Sequence, residues 1–157
     1  DYVLDTRQKQ KVIMDLFCGT GTIGQILSNN IPGAEVIGVD IIPQAIEDAK
    51  KNAERNSVTG LKFIAEDVGK FLQEYPQYKD NISTVVLDPP RAGIAPKTLK
   101  KVVQLNAARI VYVSCNPATQ ARDTEYLLNE GYQLKKFSFV DQFPHTSHVE
   151  SIALFEK

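Results

Sequence analysis

The sequence predicts an α/β protein: a doubly wound, mostly parallel sheet of seven strands with a C-terminal antiparallel hairpin. Three observations lead there. Short apolar runs alternate with stretches of helical spacing five times along the chain. A glycine turn, Gly19-Thr20-Gly21-Thr22-Ile23-Gly24, joins the first run to the first helix. The last two runs have only a loop between them, which suits antiparallel pairing. A chain of 157 residues can bury one core without metal or disulfide staples, so residues 1–157 read as one domain with residues 1–10 as a polar lead-in.

Val12 to Phe17 is bulky, apolar and too short for an ordinary helix, hence a buried strand, and the helical pattern that follows runs through Leu27. Glu35 to Asp40 is the second strand. Pro43 to Asn56 places Ile46, Ala49 and Ala53 on one helical face, with Pro43 suited to a first turn. Leu61 to Ile64 is a third strand ending near Glu66-Asp67, followed by a short helix from Val68 to Tyr75. Ser83 to Leu87 ends at Asp88-Pro89-Pro90, and Pro96 to Asn106 is helical. Arg109 to Val113 ends at Ser114-Cys115-Asn116-Pro117, and a helix from Ala118 to Asn129 stops at Gly131. Tyr132 to Asp141 and His148 to Glu156 form the hairpin around Gln142 to Ser147.

Ligands of such sheets sit outside the carboxyl ends of the strands, where Asp15, Asp40, Asp67, Asp88 and Cys115 fall. Each alone has an ordinary structural use, and for Asp67 a helix cap competes evenly with a ligand role. Gly19, Gly21 and Gly24 satisfy G-x-G-x-x-G, a spacing that fits a nucleotide-like cofactor but also occurs in turns without a ligand. Asp15 enters that turn, where it would oppose a pyrophosphate and welcome a cation, so charge favours S-adenosylmethionine over NAD. Asp40 stands about twenty residues on, where a carboxylate accepts ribose hydroxyls of either cofactor.

The formal net charge of -1 gives no basic field for strong nonspecific nucleic-acid binding. The two cysteines lack metal-ligand spacing, there is no secretory leader, and no apolar run reaches membrane-spanning length. A cytoplasmic monomer with no membrane contact is the expectation. The polar start without an initiator Met suggests a domain cut from a longer protein.

Cys115 precedes Asn116, a good N-cap, and Pro117, a good first helical residue, so its sulfur is expected at a helix N-terminus, where the thiolate is favoured. A buried inert cysteine is the competing reading. Methyltransferases of exocyclic amines follow an Asp-Pro-Pro with an aromatic residue, whereas here Arg91 follows, suiting a phosphate or a fixed loop bend. Lys97, Lys100 and Lys101 are either a solvated helix face or contacts to RNA phosphates.

Taken together, Asp15-Leu16-Phe17-Cys18-Gly19-Thr20-Gly21, Asp88-Pro89-Pro90-Arg91-Ala92-Gly93, Val113-Ser114-Cys115-Asn116-Pro117-Ala118-Thr119 and Phe143-Pro144-His145-Thr146-Ser147-His148-Val149-Glu150 closely resemble the RNA (uracil-5-)-methyltransferase family. The resemblance covers nearly the whole chain, and its last two motifs are the specific ones. It implies a Rossmann-like class I S-adenosylmethionine-dependent fold acting on transfer or ribosomal RNA. It also implies Cys115 as nucleophile, Glu150 as general base, Asp88 as an active-site acid, and a cofactor site formed by Asp15, Gly19, Gly21, Asp40, Asp67 and Asp88. Family members resemble multi-domain proteins with an N-terminal RNA-binding domain and a central insert, neither of which is in this chain.

Uracil C5 is too weak a nucleophile to attack a sulfonium methyl until a thiolate adds at C6, and a base must later remove the C5 proton. Cytosine-5 enzymes place a second cysteine beside the Asp-Pro-Pro type loop, and none lies between Cys18 and Cys115. Uracil is therefore favoured over cytosine. An NAD-linked oxidoreductase leaves Asp15, Cys115 and the hairpin unexplained, and a non-catalytic RNA-binding module needs no reactive thiol. Reading His145, His148 and Glu150 as metal ligands leaves the coordination sphere incomplete, and the chemistry needs no metal.

Overall fold

The computed structural model describes residues 12–141 and 149–157. The expected lead-in and the loop with His145 and His148 lie outside these residues.

The strands are β1 (Val12–Leu16), β2 (Glu35–Asp40), β3 (Leu61–Ala65), β4 (Ile82–Leu87), β5 (Arg109–Ser114), β6 (Gln133–Asp141) and β7 (Val149–Glu156). The helices are α1 (Thr22–Asn30), α2 (Pro43–Arg55), α3 (Val68–Glu74), α4 (Pro96–Gln104) and α5 (Pro117–Asn129). One sheet holds all seven strands in the order β3-β2-β1-β4-β5-β7-β6. Strands β1 to β5 pair in parallel, while β7 lies between β5 and β6 and is antiparallel to both. The predicted hairpin is thus present, with its second strand on the inside. No described helix is long and apolar enough to cross a membrane.

The central strands are buried on both faces, so they read as continuous apolar runs. Met14, Leu16, Ile37, Val85, Leu87 and Tyr112 face one layer with Phe71, Leu99, Val102 and Leu127 of the helices. Ile13, Val36, Val86 and Val111 face the other with Leu27 of α1. Each such side chain, removed from water, stabilises the fold by about 1.5–3 kcal/mol.

Two features of this frame aim the functional residues. The strand order reverses between β1 and β4, opening a crevice at their carboxyl ends. The β5–β7 register is fixed at one end by Arg109, whose Nε and Nη2 donate to Glu156 Oε1 at 3.2 and 2.9 Å. At the other end Ser114 pairs with Ser151. Slippage by one residue would turn every β7 side chain to the wrong face.

The first strand ends one residue earlier than predicted. Phe17 has φ 63°, a left-handed conformation that bends the chain out of β1. An apolar side chain there reads as strand by composition, while the conformation costs of order 1–3 kcal/mol and is held by the surrounding fold.

Candidate active site

Asp15 lies near the end of β1 with no exposed surface. Its Oδ2 accepts the Gly24 N–H at 2.9 Å, which ties the strand to the first turn of α1. Its Oδ1 is buried without a hydrogen-bond partner among the described residues. An orphaned buried carboxylate oxygen is costly unless a ligand supplies the donor. Burial is the largest influence on this group. Together with the charges of Asp88 and Asp40, and against the Gly24 hydrogen bond, it raises the carboxyl from 3.8 to about 7.

The raised carboxyl predicts a pH dependence of stability. Between about pH 4 and pH 7 the folded chain keeps a proton on Asp15 that the unfolded chain has lost, so this group's contribution falls as pH rises and levels off above about 7. Denaturant unfolding at pH 5 and pH 8 should show a larger loss for the native sequence than for Asp15→Asn. Equal losses would contradict the assigned burial.

The glycine turn is stitched to β2 by Asp40, whose Oδ2 accepts the Gly19 N–H at 2.9 Å while its Oδ1 accepts the Ile42 N–H at 2.9 Å. A side chain at Gly19 would meet no atom within 4 Å, so the backbone there borders open space. Gly21 serves packing instead. It has φ 75°, and a Cβ would fall into the Phe63 ring. Ile41 and Ile42 are 62 % and 56 % exposed beside Asp40, forming an apolar rim. A cation for Asp15, hydroxyls for the remaining lone pairs of Asp40, and an apolar face for the isoleucines define a ligand that these residues fit.

Asp67 at the end of β3 is exposed, and its Oδ1 accepts the Lys70 N–H at 2.9 Å, the cap anticipated as its alternative use. Cys18 is half-buried, and its thiol points at the Gly19 carbonyl at 3.8 Å. Burial, and then the charges of Asp15 and Asp40, push this thiol above its ordinary range. It therefore stays protonated near neutral pH.

Cys115, by contrast, is exposed at the end of β5. The Asn116 side chain caps α5 by accepting the Ala118 N–H at 3.1 Å, with Pro117 following at the first helical position. The β5–β7 ladder ends at the Ser114–Ser151 pair, so Cys115 directly follows and Glu150 directly precedes the last paired residues at this end of the sheet. Glu150 itself pairs with Val140 of β6. Asp88, exposed at the end of β4, feels that same glutamate: partial desolvation first, then the charge of Glu150, raises its carboxyl to about 6. Asp15, Asp40, Asp88 and Glu150 thus line one acidic stretch from the glycine turn to β7.

The loop after Asp88 is held by α5. Arg91 O accepts from Asn116 Nδ2 at 3.0 Å and from Thr119 Oγ1 at 3.3 Å. Asp123, 2 % exposed, accepts the Ile94 N–H at 3.0 Å and the Tyr112 hydroxyl at 2.7 Å on one oxygen, and Arg122 Nε at 2.8 Å on the other. This hub joins three elements around Cys115, and sequence reasoning missed it, because an Arg-Asp pair on a helix reads as solvated surface. The fixed-bend reading of the Arg91 segment accords with this geometry, while the Arg91 side chain remains exposed. No group of three or more metal-ligating side chains occurs among the described residues.

A family model described as tRNA (Uracil-5-)-methyltransferase matches residues 1–157. An uncharacterized RNA methyltransferase of Clostridium acetobutylicum is 44% identical over 147 residues, covering 94% of this chain and 31% of that relative. A 23S rRNA (uracil(1939)-C(5))-methyltransferase of Shewanella denitrificans is 43% identical, covering 92% and 31%. Among solved structures, the Pyrococcus abyssi tRNA (uracil-54, C5)-methyltransferase in complex with S-adenosyl-L-homocysteine superposes with a TM-score of 0.80 at 36% identity, over 94% of this chain and 34% of that one. The chain spans about a third of the length of these relatives.

Proposed function

The chain belongs to the tRNA (uracil-5-)-methyltransferase family and has its class I fold, and from that premise we propose that it is the catalytic domain of an enzyme that methylates uracil C5 in RNA with S-adenosylmethionine. The observation that best supports this is the β5–β7 register, whose last pair, Ser114 with Ser151, brings the neighbours Cys115 and Glu150 to one end of the sheet, where the Glu150 charge also raises the Asp88 carboxyl.

In this reading the cofactor half of the site is β1 and β2. Asp15 Oδ1 takes a donor of the methionine ammonium, Asp40 the ribose hydroxyls, Gly19 leaves room, and Ile41 and Ile42 flank the adenine. Asp67 is the outermost residue of the set. When bound, S-adenosylmethionine supplies an electrophilic methyl group.

The substrate half is β4, β5 and β7. The Cys115 thiolate adds to uracil C6, and the C5=C6 electrons move toward O4, making an enolate whose C5 is nucleophilic. Asp88, with its raised carboxyl, is suited to hydrogen-bond that developing oxyanion. After C5 has taken the methyl, Glu150 removes the C5 proton, the enolate re-forms, and elimination expels the Cys115 thiolate to leave 5-methyluracil.

Incubating the intact protein with unmodified tRNA and 23S rRNA transcripts and S-adenosylmethionine, followed by nucleoside mass spectrometry, tests the activity. 5-Methyluridine is expected; its absence from both pools would overturn the proposal. Asp40→Ala is expected to weaken S-adenosylmethionine binding by about 1 to 3 kcal/mol, through lost charge-assisted hydrogen bonds and a loosened Gly19. Unchanged affinity by calorimetry would remove Asp40 from the site. Since the net charge is -1 and the relatives are about three times longer, RNA affinity is assigned to regions outside these residues. Residues 1–157 alone should turn over RNA more slowly than the intact protein, and equal rates at physiological salt would refute that assignment.

A further inference from the structure

Gln120 and Ser151 form a buried polar pair between α5 and β7. Gln120, on the first turns of α5, is 2 % exposed, and Ser151, beside Glu150, has no exposed surface. The Ser151 hydroxyl donates to Gln120 Oε1 at 2.6 Å and lies 3.3 Å from Ser114 O. Gln120 Nε2 in turn donates to Tyr112 O at 2.9 Å. One amide therefore ties β7, at the residue next to Glu150, to β5 and to the helix that starts two residues after Cys115. Replacing both members of such a pair with apolar groups of similar shape is often nearly neutral for stability. What a satisfied polar pair adds is a defined geometry, because its donors are met by acceptors in fixed directions.

From this geometry we infer that Gln120 is a positioning residue, acting through Ser151 to hold Glu150 at its station at the Cys115 end of the sheet. The inference rests on the proposed covalent route and deepens it. Gln120 touches neither Cys115 nor Glu150 in the proposed chemistry, so its loss should affect the step Glu150 performs and leave the step Cys115 performs intact. Displacing a general base by about 1 Å can cost up to 10²-fold.

The test compares Gln120→Leu/Ser151→Ala with the native sequence and with Glu150→Gln, all in the intact protein. Rapid-quench single turnovers with unmodified tRNA and 23S rRNA transcripts resolve adduct formation from release of methylated RNA. The double variant should form the adduct within about 2-fold of the native rate, release product about 10-fold more slowly or worse, and therefore accumulate adduct. If the double variant does not unfold cooperatively, Ser151→Ala alone should show the same split. Equal slowing of both steps would reveal a merely structural role, and native rates in both would show no role; either overturns the inference. The Glu150→Gln control separates the two layers. If it too accumulates no adduct, the assignment of Glu150 fails and the inference falls with it; if it accumulates adduct while the double variant does not, only Gln120 was misassigned.

Discussion

Cys115→Ala is expected to lower RNA methylation by about 10⁴-fold or more, the scale on which removal of a nucleophile registers, and to abolish any covalent RNA–protein species. Cys18, the other cysteine of residues 1–157, cannot substitute, because burial beside Asp15 and Asp40 holds its thiol protonated under the glycine turn. Cofactor binding should survive, because Cys115 follows β5, which β4 separates from the strands that carry Asp15 and Asp40. Loss of methylation with unchanged S-adenosylmethionine affinity by calorimetry would place Cys115 in the reaction, whereas retained methylation would exclude it as nucleophile.

Glu150→Gln is expected to act at the opposite end of the same intermediate. Glutamine keeps the size and much of the hydrogen bonding of glutamate but cannot accept the C5 proton, so adduct formation and methyl transfer should proceed while release slows by about 10²- to 10⁴-fold. Removing the charge also relieves Asp88, whose carboxyl the glutamate helps to raise. The high-pH limb of any rate profile that reports Asp88 as a hydrogen-bond donor should therefore move to lower pH in the variant, a shift visible in single-turnover rates of the adduct-forming step. An unmoved profile would separate the two carboxylates.

The architecture was legible because parallel strands buried on both faces leave continuous apolar runs, and because glycine, proline and acidic residues punctuate their ends. Asn116 and Pro117 marked the start of α5, and the absence of a helix between β6 and β7 marked the hairpin. Position across strands was not legible. That Ser114 faces Ser151, which brings Cys115 and Glu150 to the same end of the sheet, depends on β7 inserting between β5 and β6, which no local pattern records. The Asp123 hub and the Gln120–Ser151 pair are contacts between elements distant in sequence, made by polar side chains that composition assigns to solvent. Asp67 shows the converse: its cap was readable from the helix that follows it, as Asn116 was. Phe17 was read as strand because an apolar residue with positive φ carries no sequence mark of its conformation.

The central claim is that Cys115 and Glu150 divide one covalent cycle between them, and intact-mass analysis of Glu150→Gln after incubation with RNA and S-adenosylmethionine tests it most directly. A band of reduced mobility on a denaturing gel should contain one protein chain, one RNA strand and one added methyl group, with the attachment mapped to Cys115. Wild-type turnover with no such species, or an adduct mapped to Cys18, would contradict it.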